Sequence, residues 1–210
     1  MSKPIPLEYG KYYHIFSRGI NRANIFFSER NYRFFMRRYA YYVEPVADTY
    51  AYCLLRNHFH VLARTRTVEE QEAWYDSQIL RPTEPRRAFA PKNPSQQLGN
   101  LLNSYTKAIN EAHGRTGSLF QHPFGRVEVT SVVYLRILVT YIHQNPQRHR
   151  LIDDFRAWPY SSYGAFQTTK RTRLKRDEVL DWFSGSVAFE MVHESPIDEA
   201  TLAPLLLDDF

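Results

Sequence analysis

The period of the apolar positions changes along the chain, and each change marks an element. Tyr9 to Arg18 is rich in aromatic residues and predicts a strand. Gly19 to Ala23 is a turn. Ser28 is placed to cap a helix, with Glu29 in its first turn and Asn31 three residues on. Tyr32, Phe35, Met36, Tyr39 and Val43 then recur at helical spacing, and Pro45 ends the run. Residues 47–55 predict a second strand. Arg56-Asn57 is a tight turn, and His58 to Arg64 predicts a third strand paired with the second as a hairpin.

Residues 68–94 break the pattern. They begin acidic and polar and contain Pro82, Pro85, Pro91 and Pro94, which predicts a short helix followed by a loop. Ser95 is placed to cap a helix reaching His113. Leu98, Leu101, Leu102, Tyr105 and Ile109 form one face of it, and Gly114 lies just past its end. Phe124 to Thr130 predicts a fourth strand. Thr130 or Ser131 caps a last long helix through Leu135, Leu138 and Ile142, expected to stop before Pro146. The order is β-α-β-β-α-β plus one helix, an α+β, ferredoxin-like antiparallel sheet with an added C-terminal helix. Residues 1–167 read as one domain, with 68–94 inserted. Trp158 to Tyr163 looks like an aromatic clamp closing it. Residues 168–210 read as a basic linker, a short helix around Val179 to Phe183 and an acidic tail.

Composition narrows the class. Hydrophobic residues make up 43% of the 210 positions and aromatic residues 15%, enough for a real core. No apolar run is long enough to span a membrane. Met1 to Pro6 is not followed by the apolar segment of a signal peptide. The single cysteine, Cys53, permits no intrachain disulfide, and a cytoplasmic location is expected. Charge is unevenly spread. Residues 1–67 hold eleven Lys/Arg against four Asp/Glu, 95–167 hold seven against four, and 177–210 hold nine acids and no Lys or Arg. Arginine outnumbers lysine 21 to 6. A basic, arginine-rich body with an acidic tail suits a phosphate-backbone binder.

Two short stretches carry candidate chemistry. His58-Phe59-His60 places two imidazoles on one face of a strand, since residues two apart point the same way. Two ligands are too few for a structural zinc site but enough for a catalytic cation that keeps positions open for substrate. Tyr141 and Asn145 are four apart and share a helix face. The amide oxygen of Asn145 is a hard ligand suited to Mg²⁺ or Mn²⁺. The phenol of Tyr141 is a weak nucleophile until a nearby cation favours its phenolate. Taken one at a time, each stretch has an ordinary structural reading.

Together these stretches resemble a known family. Cys53-Leu-Leu-Arg-Asn-His-Phe-His-Val-Leu62, Ser104-Tyr-Thr-Lys-Ala-Ile-Asn110, Gly117-Ser-Leu-Phe-Gln121, Tyr141-Ile-His-Gln-Asn-Pro146 and Trp158-Pro-Tyr-Ser-Ser-Tyr163 are similar in order and spacing to REP-associated tyrosine transposases. These are single-tyrosine transposases within the endonucleases named for a His-hydrophobe-His motif. The resemblance implies that His58, His60 and Asn145 bind a divalent cation. It implies that Tyr141 attacks a DNA phosphate, leaving a free 3′-OH and a 5′-phosphotyrosine link. It also implies single-stranded DNA with a hairpin as partner, a nucleoid-associated protein, and, for mobile-element members, a homodimer. Three positions depart from the family pattern: Gln147 replaces an apolar residue, Arg150 replaces glycine in many members, and 68–94 is longer than usual.

Arg18, Arg22, Arg56, Arg115 and Arg126 fall on turns or strand ends and are candidates for DNA phosphate contact, with Lys107 a further one on the second long helix. His14 could border the metal face. His143 should face away from it, toward packing or solvent. Two other classes compete. One is a non-catalytic hairpin-binding regulator. The other is a water-using metallophosphoesterase, which would leave Tyr141 idle and has no evident general base.

Overall fold

In a computed structural model the described residues are 5–78 and 88–197. Pro82, Pro85 and the last part of the acidic tail lie outside them. Four strands alternate with helices: β1 Tyr12–Arg18, α1 Glu29–Tyr42, β2 Ala47–Leu54, β3 His58–Thr65, α2 Val68–Ser77, α3 Pro94–His113, β4 Gly125–Glu128 and α4 Val132–Arg148. Three short helices follow, α5 Tyr163–Phe166, α6 Arg176–Trp182 and α7 Ser186–Glu194. The sheet has order β2-β3-β1-β4 and every pairing is antiparallel. This is the expected ferredoxin-like arrangement, with α2 added between β3 and α3.

The alternation of side chains along the strands builds two cores. On one face Tyr13, Ile15, Phe59 and Val61 pack with Phe35 of α1 and Tyr105 of α3. On the other Leu62, Ala51 and Cys53 pack with Leu135, Leu138 and Ile142 of α4. α4 is buried along its whole middle, from Leu138 to Pro146, because α6 and α7 cover the side that the sheet does not. Phe183 and Phe189 are fully part of that second core. The segment read as linker and tail therefore begins with helices that pack on α4.

Local details differ from the sequence reading, each for a physical reason. β1 starts at Tyr12, because the chain turns at Gly10, where φ is +75°. α3 is capped by Asn93, whose side chain accepts from the amide of Gln96, with Pro94 in the first turn. Ser95 instead accepts from the amide of Leu7 and so ties down the N-terminal segment. α4 does not stop at Pro146 but continues to Arg148. Pro146 donates no N–H, yet the helix is sustained beyond it by His149 N–H donating to the Asn145 carbonyl. Arg150, just beyond, has φ of +55°, the left-handed conformation that explains why glycine suits this position.

Candidate active site

The hairpin and the register of β1 against β3 bring the chemistry together. Phe16 lies opposite His60 and Arg18 opposite His58, so His14, Phe16, Arg18, His58 and His60 share the face that α4 covers. Tyr141 and Asn145 of α4 and His149, which caps its C-terminus, recur every four residues and form one stripe. The ring of Tyr141 meets His60 edge-on at 5.4 Å between centroids, and His149 meets His58 at 4.7 Å. Asn145 stands between those two contacts. The Arg148 guanidinium sits 5.7 Å from the Tyr141 ring centre.

The site is dry. His58, His60, Asn145 and His14 are all buried, and Tyr141 is only 1% exposed. Burial first, then the neighbouring His14, His58 and His149 rings and the Arg18 charge, hold the pKa of His60 well below the usual imidazole value. A neutral imidazole is the form that ligates a metal. Both side-chain polar atoms of Asn145 are buried without a hydrogen-bond partner. A buried amide left so is costly unless something else occupies it.

The Asn57 amide orients the ring of His58. Asn57 Nδ2 donates to the carbonyl of Arg22, which fixes the amide, so Asn57 Oδ1 must accept from His58 Nδ1–H at 2.7 Å. A neutral His58 then keeps its lone pair on Nε2. His60 Nδ1 lies 2.9 Å from His14 Nε2. Among the described residues no group of three or more His, Cys, Asp or Glu side chains is arranged to hold a metal ion. His58, His60 and the orphaned amide of Asn145 are the side chains here that could hold a cation.

No family model and no curated protein matches the sequence. A solved structure does match: the REP-associated tyrosine transposase bound to a REP hairpin, at a TM-score of 0.57 and 15% identity, covering 80% of this chain and 84% of that one. The fold is that of a tyrosine transposase. At this identity the likeness speaks for the fold alone. Among the described residues no helix is long and apolar enough to cross a membrane.

The predicted DNA-contact residues scatter. Arg18 lines a cavity of about 40 Å³ with His58, His60, Phe16 and Gln121, and its Nε is buried without a hydrogen-bond partner. Gly125 also lines it, where a Cβ would overlap the Phe16 ring. Arg22 is exposed, and its carbonyl anchors Asn57 beneath His58. Arg56 is exposed at the hairpin turn and its charge acts on Tyr32 of α1. Arg115 follows α3 and is partly buried. Arg126 lies opposite Ile15, hence on the other face of the sheet; it stacks on Phe124 at 3.7 Å and donates to Ile5 O and Ser95 Oγ. Lys107 is exposed on α3, also on that other face. His14 and His149 belong to the site. The sequence reading gave His14 a marginal place and passed over His149, although its spacing from Asn145 was the available signal.

His143 faces away, as expected, into a buried relay. His193 Nδ1–H donates to the Phe189 carbonyl, so His193 Nε2 accepts from His143 Nδ1–H at 2.8 Å, and His143 Nε2 meets Ser162 Oγ at 2.8 Å. Gln144 donates to the carbonyls of His193 and Ser195. The relay fastens α7 to the back of the helix that carries Tyr141. Burial lowers the pKa of His193 to about 4 and that of His143 well below its usual value. Between about pH 6.5 and 4 the unfolded chain binds protons that the folded one refuses, so stability rises with pH there. Melting curves should be flat above pH 7 and fall as pH drops below 6.5, with His193 alone worth on the order of 3 kcal/mol by pH 4. An unchanged melting temperature across this window would contradict the relay.

Proposed function

We propose that the chain is a metal-dependent DNA strand transferase that cuts and rejoins single-stranded DNA beside a hairpin through Tyr141. The observation that carries this reading is the stripe Tyr141–Asn145–His149 laid against His60 and His58, with an orphaned amide between them. The structural neighbour was solved on a REP hairpin, which supports hairpin DNA as the substrate class here.

His58, His60 and Asn145 would hold Mg²⁺ or Mn²⁺. Bound there, the cation supplies charge that polarises a phosphate and favours the phenolate. Tyr141 Oη would lose its proton to solvent, once the face is opened by DNA, and attack phosphorus. The bond from phosphorus to the 3′-oxygen breaks, and that oxygen takes up a proton as the free 3′-OH. The phosphate stays on Tyr141 as a diester, so its bond energy is kept. A 3′-OH can later attack it and release the tyrosine without ATP. Arg18, on the cavity wall beside His58 and His60, is placed to meet the phosphate. The cavity is far smaller than a nucleotide and Tyr141 is buried, so DNA binding must open the face between α4 and the sheet.

That burial is also what favours the second reading, a protein that binds hairpins without cutting them. Labelled single-stranded hairpins incubated with Mg²⁺ or Mn²⁺ separate the two. A protein–DNA band that survives denaturant, requires the cation and disappears in His60→Ala is the expected result. Tight binding with no such band under either cation would leave the hairpin-binding protein.

A further inference from the structure

We propose that His14 is a positioning residue that sets the imidazole of His60 for the cation. The inference rests on the metal reading above. His14 Nε2 and His60 Nδ1 are 2.9 Å apart, and both rings are buried. Their planes are 21° apart at a centroid distance of 5.1 Å, and Phe16 packs beside both rings, 4.8 Å from His14 and 6.0 Å from His60. The pair is thus held in place by packing. Register explains the contact: His14 lies opposite Leu62, one step along β3 on the same face from His60, which makes the two histidines diagonal neighbours.

One proton lies between the two nitrogens, and its side decides what His60 can do. If His14 donates, His60 carries its own hydrogen on Nε2, and the nitrogen away from His14 cannot ligate. If His14 accepts, His60 is the Nδ1–H tautomer and Nε2 keeps its lone pair. His58 shows the same device in a form with one solution, since Asn57 Oδ1 can only accept. Each metal-face histidine therefore has its Nδ1 engaged by a neighbour supplied by the chain, Asn57 for His58 and His14 for His60. Such outer partners orient the ring and raise ligand affinity. His14 touches neither substrate nor cation in this arrangement; it acts through His60.

The test uses Mn²⁺ titration followed by electron paramagnetic resonance, together with nitrogen-15 spectra of the imidazoles in the metal-free protein. Wild type should show His60 as the Nδ1–H tautomer. His14→Phe, which keeps a flat ring but cannot accept, should weaken Mn²⁺ binding about 10- to 100-fold and release His60 from that tautomer. His14→Gln, whose Oε1 accepts, should recover most of the affinity; a merely structural role would not be rescued by an acceptor. Wild-type affinity in His14→Phe would overturn the inference, as would Nε2–H on His60 in wild type. A wild type that binds no Mn²⁺ would overturn the metal reading itself. If His14→Phe does not fold, the wild-type spectrum and His14→Gln still decide.

Discussion

Tyr141→Phe should abolish the covalent protein–DNA product while leaving hairpin binding within about threefold of wild type. The substitution removes one oxygen and keeps the ring that packs against His60 and His14. Loss of a single buried hydroxyl changes stability by about 1 kcal/mol, a few degrees in melting temperature for a chain of this length. Loss of a nucleophile has no such limit. Strand cleavage should fall by at least about 10³-fold. A variant that still forms the product would move the chemistry away from α4. A variant that loses both binding and stability would show that Tyr141 is chiefly a packing residue.

Asn145→Leu should make the metal-free protein more stable and at the same time inactive. Asn145 is fully buried, and neither its amide oxygen nor its nitrogen has a hydrogen-bond partner. Burying a polar group in this way costs about 1–3 kcal/mol in proteins. Leucine has similar volume and nothing to desolvate, so it recovers that cost. The melting temperature should rise by several degrees, at roughly 2–4 °C per kcal/mol. Cation binding should weaken at least about tenfold, because a ligand oxygen is gone. Opposite signs for stability and activity mark a group kept for function against the interest of the fold. A destabilised Asn145→Leu would mean that the amide is already satisfied in the protein as it stands.

Much of this architecture is legible in the amino-acid sequence. The period-two strands and period-3.6 helices gave the β-α-β-β-α-β order, because in this chain local preference and tertiary packing agree. The His58-Phe59-His60 alternation put two imidazoles on one face and Phe59 in the opposite core, where it packs on Phe35. What was not legible came from contacts between distant segments. The rule that proline ends a helix hid Arg148 and His149, though Pro146 is accommodated inside α4. His14 could be seen on its strand, but only the register of β1 against β3 brings it to His60. α7 reaches the second core through Phe189 and through the pairing of His193 with His143 across 50 residues, and no local spacing shows which helix it meets. Arg126 reads as a strand-end cation, yet its position opposite Ile15 turns it to the other face.

These cases share a cause. Residue type and spacing predict which side of an element a group occupies. They do not predict which elements meet. The candidate site lies where β1, β3 and α4 converge, so its core residues were visible and its supporting ones were not.

The measurement that bears most directly on the central claim is mass-spectrometric mapping of the denatured protein–DNA product. Hairpin substrate is reacted with the full chain and Mn²⁺, the DNA is trimmed by nuclease, and the peptides are sequenced. The account predicts a single modified residue, Tyr141, bearing a nucleotide through its 5′-phosphate. A nucleotide on another residue, such as the exposed Tyr134 of the same helix, or one joined through a 3′-phosphate, would contradict it.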